Sequence, residues 1–427
     1  MKSVVYCLLF FLTLVACSPG RYIHKEVIRL EKDLKDHTGF LLYDPATGKN
    51  LAEHQSDQYY TPASNTKIFT FYSSIKLLGD SAVAVKYIQA NDSLIFWGAG
   101  DASFLYANSF DNRRLFDFLS ATPGKLFFST SNFQTQTMGP GWAWDDYPYY
   151  YSAERTPLPI YGNLVNIRKN SDRFYFTPSL FQLHFAAASD PRGDETIVRD
   201  IDSNQLTYYP GKGNRKSWII PFRYSDDLVA ELLGDTLKRK VTLINRPLPP
   251  EAKSLRSVPL DSLLRVMMHD SDNFVAEQLL LQCASTVSDT LMPEIAIRYA
   301  KRNFLSDLPD EPQWVDGSGL SRYNLFTPRS IVKLWDKIYQ EIPQQRLFPL
   351  LATGGKSGTL KNSYKADKPF IYGKTGTLSN NHALSGYLLT RKGRVLIFSM
   401  MNNNYVMPTG EVRKRMEKIL YTIYERF

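Results

Sequence analysis

Ser64-Asn65-Thr66-Lys67, Ser271-Asp272-Asn273 and Lys374-Thr375-Gly376-Thr377 stand in that order along the chain, and the surroundings of each decide the fold. Ser-x-x-Lys also occurs at Ser73/Lys76 and Ser330/Lys333, and Lys-[Ser/Thr]-Gly also at Lys356-Ser357-Gly358, so no single copy is informative by itself. Context separates them. Ser64 follows Tyr60-Thr61-Pro62-Ala63, an extended approach to a helix start. Ile68, Phe69, Tyr72, Ile75 and Leu78 then recur at helical spacing up to Gly79. Ser64 therefore lies at a helix N-terminus, where free N–H groups and the helix dipole favour a developing anion, with Lys67 one turn on along the same face. Ser73 falls on the opposite side of that helix and reads as helix surface. Ser330 opens an amphipathic stretch and reads as a helix-start residue.

The second triplet lies between two helical patterns, Leu260 to Met268 and Phe274 to Leu280, so it must turn; taken alone it reads equally well as a loop with an N-cap. Lys374 follows the strand-like Phe370-Ile371-Tyr372-Gly373. Further strand patterns run from Leu384 to Leu389 and, after the Lys392-Gly393 turn, from Val395 to Phe398. The spacing predicts an antiparallel sheet with Lys374 on its first strand. Lys356 sits among glycines, where no strand is expected. His382 reads as a polar turn residue, one of six scattered histidines with no His-x-x-x-His pair; no metal site is expected.

The three motifs in this order resemble the set carried by penicillin-binding proteins and class A β-lactamases, serine enzymes with a lysine base. The chain further resembles the D-alanyl-D-alanine carboxypeptidase/endopeptidase family, the low-molecular-mass class C penicillin-binding proteins of the penicillin-binding protein 4 type. Asp316-Gly317-Ser318-Gly319-Leu320-Ser321-Arg322 matches a family stretch, and Gly358-Thr359-Leu360 resembles the turn before the third motif. Gly98-Ala99-Gly100-Asp101 and Pro140-Gly141-Trp142-Ala143-Trp144-Asp145-Asp146 resemble inserted-domain motifs more loosely.

The resemblance implies a nucleophile at Ser64, a base at Lys67, a proton relay at Ser271 and a substrate-backbone contact at Asn273, which would also hold Lys67. Lys374 and Thr375 would bind the terminal carboxylate, and the N–H groups of Ser64 and Thr377 would form the oxyanion hole. Lys374 would also supply the positive charge that keeps Lys67 neutral. Asp146 would meet the basic end of a stem peptide. The implied substrates are peptidoglycan stem peptides, the implied inhibitors β-lactams, and no cofactor is implied. A β-lactamase of related fold and a catalytically inactive wall-binding lipoprotein are the competing readings.

The chain of 427 residues is long enough for more than one core. So much sequence separates Ser64 from Ser271 that the expected organisation is discontinuous: a signal peptide over 1–16, a catalytic domain in two parts over 17–79 and 223–427, and β-rich inserted domains over 80–222. The fold class expected is an α/β (α+β) serine β-lactamase/transpeptidase-like sandwich, an antiparallel sheet flanked by helices. Lys2 and the short apolar run Val4 to Ala16 read as a secretion signal. Leu14-Val15-Ala16-Cys17 resembles a lipobox, which would leave Cys17 lipidated and the protein periplasmic and membrane-anchored. Cys283 then remains as a single core thiol, and no internal disulfide is possible. The net charge of +9 suits an anionic wall; no dense basic block with interleaved aromatics points to nucleic acid.

Overall fold

The computed structural model describes residues 19–191 and 193–427. The stretch read as a secretion signal and Cys17 lie outside the described residues. The chain divides into two compact units. One comprises residues up to Ile68, Asp307–Trp314 and Asn324–Phe427; the other comprises Phe69–Ser306 and Val315–Tyr323.

The first unit is built on a six-stranded antiparallel sheet. Its order is Ala352–Thr353, Ile371–Leu378, Asn381–Leu389, Val395–Asn403, His37–Asp44, Lys49–His54. The central strands are buried on both faces, which explains their nearly unbroken apolar runs. Leu384, Leu388, Leu396, Phe398 and Met400 meet Ile23 and Val27 of the helix Pro19–Leu34 and Val412, Met416 and Leu420 of the helix Thr409–Arg426 in one core. The alternate residues face the other way. Ser385 accepts a hydrogen bond from Trp335 Nε1 (2.9 Å), and Tyr387 donates one to Trp335 O (2.9 Å). Trp335 belongs to the helix Pro328–Glu341. Period-two alternation thus places one helical layer on each face of the sheet. The first hairpin turns at Pro45 to Gly48 around Asp44, whose carboxylate accepts from Ala46 N and Thr47 Oγ1.

Ser330 is not the cap of its helix. Thr327 is, accepting from Ser330 N through its side chain, because Pro328 fills the first helical position. The Ser330 hydroxyl is buried and donates to Asp310 O.

The second unit holds a mixed five-stranded sheet in the order Val241–Leu243, Lys125–Ser129, Ser93–Gly98, Ser81–Ala90, Lys253–Pro259. It also holds two three-stranded sheets. Phe96, Phe128, Leu158, Val165, Trp218 and Leu232 belong to one core that draws on these strands and on the helix Asp226–Leu237. The helices Leu260–His269, Asn273–Ser288 and Pro293–Asn303 complete the unit.

The expectation that Ser73 lies on a helix surface is overturned. The helix Lys67–Leu77 is buried from Lys67 through Ser74, with Ile68, Phe69, Phe71 and Tyr72 on successive faces and exposure confined to its last turn at Lys76, and Ser73 is fully buried. Cys283 is the free cysteine of the described residues; it is buried, and burial pushes its thiol up to about 12.

Candidate active site

In the first unit Ser64 sits in the 3-10 turn Ala63–Thr66, which runs directly into the helix Lys67–Leu77. Ala63 takes φ +48°, a left-handed conformation that a residue with a Cβ adopts at a cost. Lys67 is fully buried, and its Nζ donates to Ser64 Oγ at 2.9 Å. A serine oxygen within hydrogen-bond reach of a buried amine is the geometry of an activated nucleophile.

Asn65, one of the unspecified positions of the first motif, ties this turn to the sheet. Its Nδ2 donates to Lys374 O (3.1 Å), and its Oδ1 accepts from Ser385 Oγ, which is itself held by Trp335. Only the register between residue 65 and strand Asn381–Leu389 reveals that role, and no sequence signal pointed to it.

Lys374 lies on the strand Ile371–Leu378, opposite Ser385. It is fully buried, and its Nζ donates to Thr375 O (2.6 Å). Burial, and then the charge of Lys67, hold its ammonium well below the usual lysine range. Lys374 is thus itself driven toward the neutral form, and the repulsion between the two lysines acts on both. Thr375 Oγ1 donates to Thr359 Oγ1 (2.7 Å), so the turn Gly358-Thr359-Leu360 does abut the third motif.

Thr377 Oγ1 lies 2.8 Å from His382 Nδ1 and accepts from Arg413 Nη2 (3.1 Å). His382 is a strand residue in register with Thr377 and buried, which corrects its reading as turn polarity. Burial, then the Arg413 charge, push its imidazole down to about 3, so it is neutral at any physiological pH. Arg413 lies on the helix Thr409–Arg426, and its contact with Thr377 is a second feature the sequence did not disclose.

Gly376 is where the strand passes the nucleophile turn. A Cβ there would lie 2.5 Å from Pro62 O and 2.9 Å from Ser64 N. The Gly376→Ala variant is expected to shift the turn and lower the rate of penicillin acylation by about 10²-fold. A stopped-flow acylation rate within threefold of wild type would contradict this.

In the second unit the Ser271-Asp272-Asn273 triplet leads from the helix Leu260–His269 into the helix Asn273–Ser288. Ser271 adopts φ +59°, a left-handed conformation like that of Ala63. Asp272 is the N-cap: its Oδ1 accepts from Val275 N (2.9 Å) and its Oδ2 from Tyr106 Oη (2.9 Å). The cap reading thus describes Asp272, leaving its two neighbours for other work. Asn273 Nδ2 donates to Tyr151 O (2.9 Å), while Tyr151 Oη donates to Asp146 Oδ1 (2.8 Å). Asp146 and Asn273 are therefore joined through one residue.

Behind them Glu277, fully buried on the same helix, accepts from Arg155 Nε (2.9 Å) and Nη2 (2.6 Å) through Oε2 and from Ser318 N (2.7 Å) through Oε1. The Asp316–Arg322 stretch winds around the Asp316 carboxylate, which accepts from Gly319 N, Ser321 N and Trp142 Nε1. A Cβ at Gly317 would lie 2.6 Å from Ala276 O, which accounts for a glycine there.

Of the residues singled out from the sequence, the first unit brings together Ser64, Lys67, Lys374, Thr375 and Thr377. The second brings together Ser271, Asn273 and Asp146. A curated relative, the D-alanyl-D-alanine carboxypeptidase DacB of Haemophilus influenzae, is 22% identical over an alignment covering 100% of this chain and 98% of that protein. The crystal structure of penicillin-binding protein 4 from the same organism superposes with a TM-score of 0.74 at 20% identity, covering 93% of this chain and 99% of that one. A predatory peptidoglycan endopeptidase of Bdellovibrio bacteriovorus is more distant, with a TM-score of 0.50 at 13% identity over 90% of each chain. These likenesses bear out the sandwich with its added sheets. The model of the D-Ala-D-Ala carboxypeptidase 3 (S13) family matches residues 25–423. That span takes in all three motifs and both units, and the chain belongs to this family.

Proposed function

We propose that this chain is a penicillin-sensitive serine D-Ala-D-Ala carboxypeptidase and D,D-endopeptidase acting on peptidoglycan stem peptides. The observation that carries the reading is the 2.9 Å contact from Lys67 Nζ to Ser64 Oγ beside the buried, neutral-leaning Lys374. Lys67 and Lys374 are both buried and repel each other, so the pair resists holding two protons, and proton exchange within it can present a neutral amine to Ser64.

Ser64 Oγ attacks the carbonyl carbon of the penultimate D-Ala, and its proton passes to Lys67. The N–H groups of Ser64 and Thr377 hold the oxyanion. As the C–N bond breaks, the leaving amine takes up a proton relayed by Ser271, and an ester on Ser64 remains. Water then attacks the ester and returns Ser64 to its hydroxyl form. Asn273 bonds the substrate backbone. Lys374, Thr375 and Thr377 receive the terminal carboxylate, with Arg413 adding a permanent charge beside Thr377. Asp146, held by Tyr151, receives the cationic end of the stem peptide. In this scheme residues 80–222 are insertions that serve substrate binding, and residues 17–79 and 223–427 form the catalytic domain.

Incubation with labelled penicillin followed by release kinetics tests the reading. A stable adduct is expected. Rapid turnover would indicate a β-lactamase instead, and absence of label an inactive wall-binding protein. The two Lys-[Ser/Thr]-Gly copies differ in the same assay. A substrate carboxylate bound beside Lys374 favours its charged form, and losing that charge-assisted contact costs about 2–3 kcal/mol, or roughly 30- to 150-fold. Lys374→Ala should lower the acylation rate by at least that factor, while Lys356→Ala, at an exposed turn residue, should change it little. A larger loss at Lys356 would overturn the assignment.

Among the described residues no helix is long and apolar enough to cross a membrane. Attachment to the envelope is proposed to come from lipid on Cys17. The intact mass of detergent-extracted protein should show an acylated Cys17, and a soluble mature chain beginning elsewhere would refute this.

A further inference from the structure

Trp144 is 79% exposed, an unusual placement for an indole. Its 3-10 turn is not loose: Asp146 N donates to Ala143 O (3.1 Å) and Tyr147 N to Trp144 O (3.3 Å). The ring helps wall an open cavity of about 490 Å3, within the second unit, that is also lined by Trp142, Tyr147, Glu154, Asp202 and Arg223. That volume falls in the roughly 300–1,000 Å3 range of small-molecule sites. Tyr147 is fixed on two sides. The Arg199 guanidinium lies 4.3 Å from its ring centre, and its hydroxyl donates to Glu154 Oε1 (2.5 Å). Glu154, itself buried, also accepts from Tyr224 N (3.2 Å). Arg223 donates to Asp202 O (2.6 Å) and remains half-exposed. The wall is thus a set of held aromatic rings rimmed by a guanidinium and carboxylates.

A purely apolar partner would desolvate the exposed Arg223 guanidinium and Asp202 carboxylate at the rim, and a simple ion would leave the rings unused. A pyranose ring matches both: its C–H face stacks on an indole, and its equatorial hydroxyls bond to carboxylates and guanidinium groups. The position is also apt. Trp144 is two residues from Asp146, which Tyr151 connects to Asn273. Tyr149 (55% exposed) and Tyr150 (58% exposed) continue the exposed aromatic run along the same segment.

We propose that this cavity is a saccharide subsite. It holds a hexosamine ring of the glycan strand that carries the stem peptide, with Trp144 as the stacking platform. The identity of the sugar's source rests on the peptidoglycan-peptidase reading above.

The test uses the full mature chain and two independent readouts. The first is titration with N-acetylglucosamine tetramer, which carries no peptide, followed by tryptophan fluorescence. The wild type should respond saturably. Trp144→Ala should need at least tenfold more sugar, and Trp144→Phe should recover most of the affinity. The second readout compares a free D-Ala-D-Ala pentapeptide with the same peptide on a disaccharide. In Trp144→Ala, KM for the sugar-bearing substrate should rise at least tenfold with kcat unchanged, while the free peptide is cleaved as by wild type. Failure of the wild type to bind the tetramer, or equal losses on both peptides, would overturn the subsite. If the wild type cleaves neither peptide but Trp144 still governs tetramer binding, the saccharide site stands and the peptidase reading falls.

Discussion

Turnover of a D-Ala-D-Ala peptide by Ser64→Ala is expected to fall by about 10⁶-fold, the scale seen when a serine nucleophile is removed from a hydrolase that works as a unit with its base. The Ser64 hydroxyl is the acceptor of the Lys67 ammonium or amine hydrogen at 2.9 Å, and alanine leaves that amine with nothing to activate. The turn itself should persist, because Asn65 holds it to Lys374 O and Ser385. Neither other Ser-x-x-Lys copy is placed to substitute. Ser73 is fully buried, and Lys76 Nζ lies over the rings of Tyr72 and Phe304. Ser330 is buried against Asp310. Peptide mapping of penicillin-labelled wild type should place the adduct on Ser64. Label retained by Ser64→Ala would sink the assignment of nucleophile. Lys67→Ala should lose a comparable amount, and the double variant little more, since the two act in one step.

The largest stability effect is expected at Glu277. Glu277→Ala removes the carboxylate that pairs with Arg155, a side chain with 1% of its surface exposed, and breaking such a pair costs about 3–5 kcal/mol. It also leaves the buried Ser318 N–H without its acceptor. Urea unfolding followed by tryptophan fluorescence should show the loss as an earlier transition, and a change below about 1 kcal/mol would contradict the account. The double variant Arg155→Met/Glu277→Leu should recover part of the loss, short by about 1–3 kcal/mol for the orphaned Ser318 N–H. Penicillin acylation should weaken along with stability, because Glu277 lies one turn beyond Asn273 on the same helix.

The sheet and the motif contexts were legible because they depend on local periodicity. Alternation from Ile371 to Phe398 placed Lys374 on a strand, and glycines around Lys356 kept it off one. What stayed hidden depends on distant register. Asn65 matters because Ser385 lies across from Lys374, and Arg413 matters because its helix returns to Thr377. The left-handed Ala63 and Ser271 carry no glycine signal, since strain at such positions is held by surroundings that the local sequence does not contain. Ser73 was misjudged because the helix is buried on every face from Lys67 to Ser74, which leaves no solvent side there for spacing to reveal. The boundaries at 79/80 and 222/223 remain a proposal; the contact units instead part at Ile68/Phe69 and trade short segments near 307–323.

Cys283 gives the protein a built-in clock. Its thiol sits fully enclosed on the helix Asn273–Ser288 and is pushed up to about 12, so the reactive thiolate is scarce at neutral pH even before access is considered. A maleimide or disulfide reagent can modify it only when that helix opens. The rate of thiol modification in native buffer therefore reads the opening of the segment that carries Asn273 and Glu277. A faster rate in Glu277→Ala would report, without any added probe, how far that buried carboxylate keeps the helix of the second motif closed.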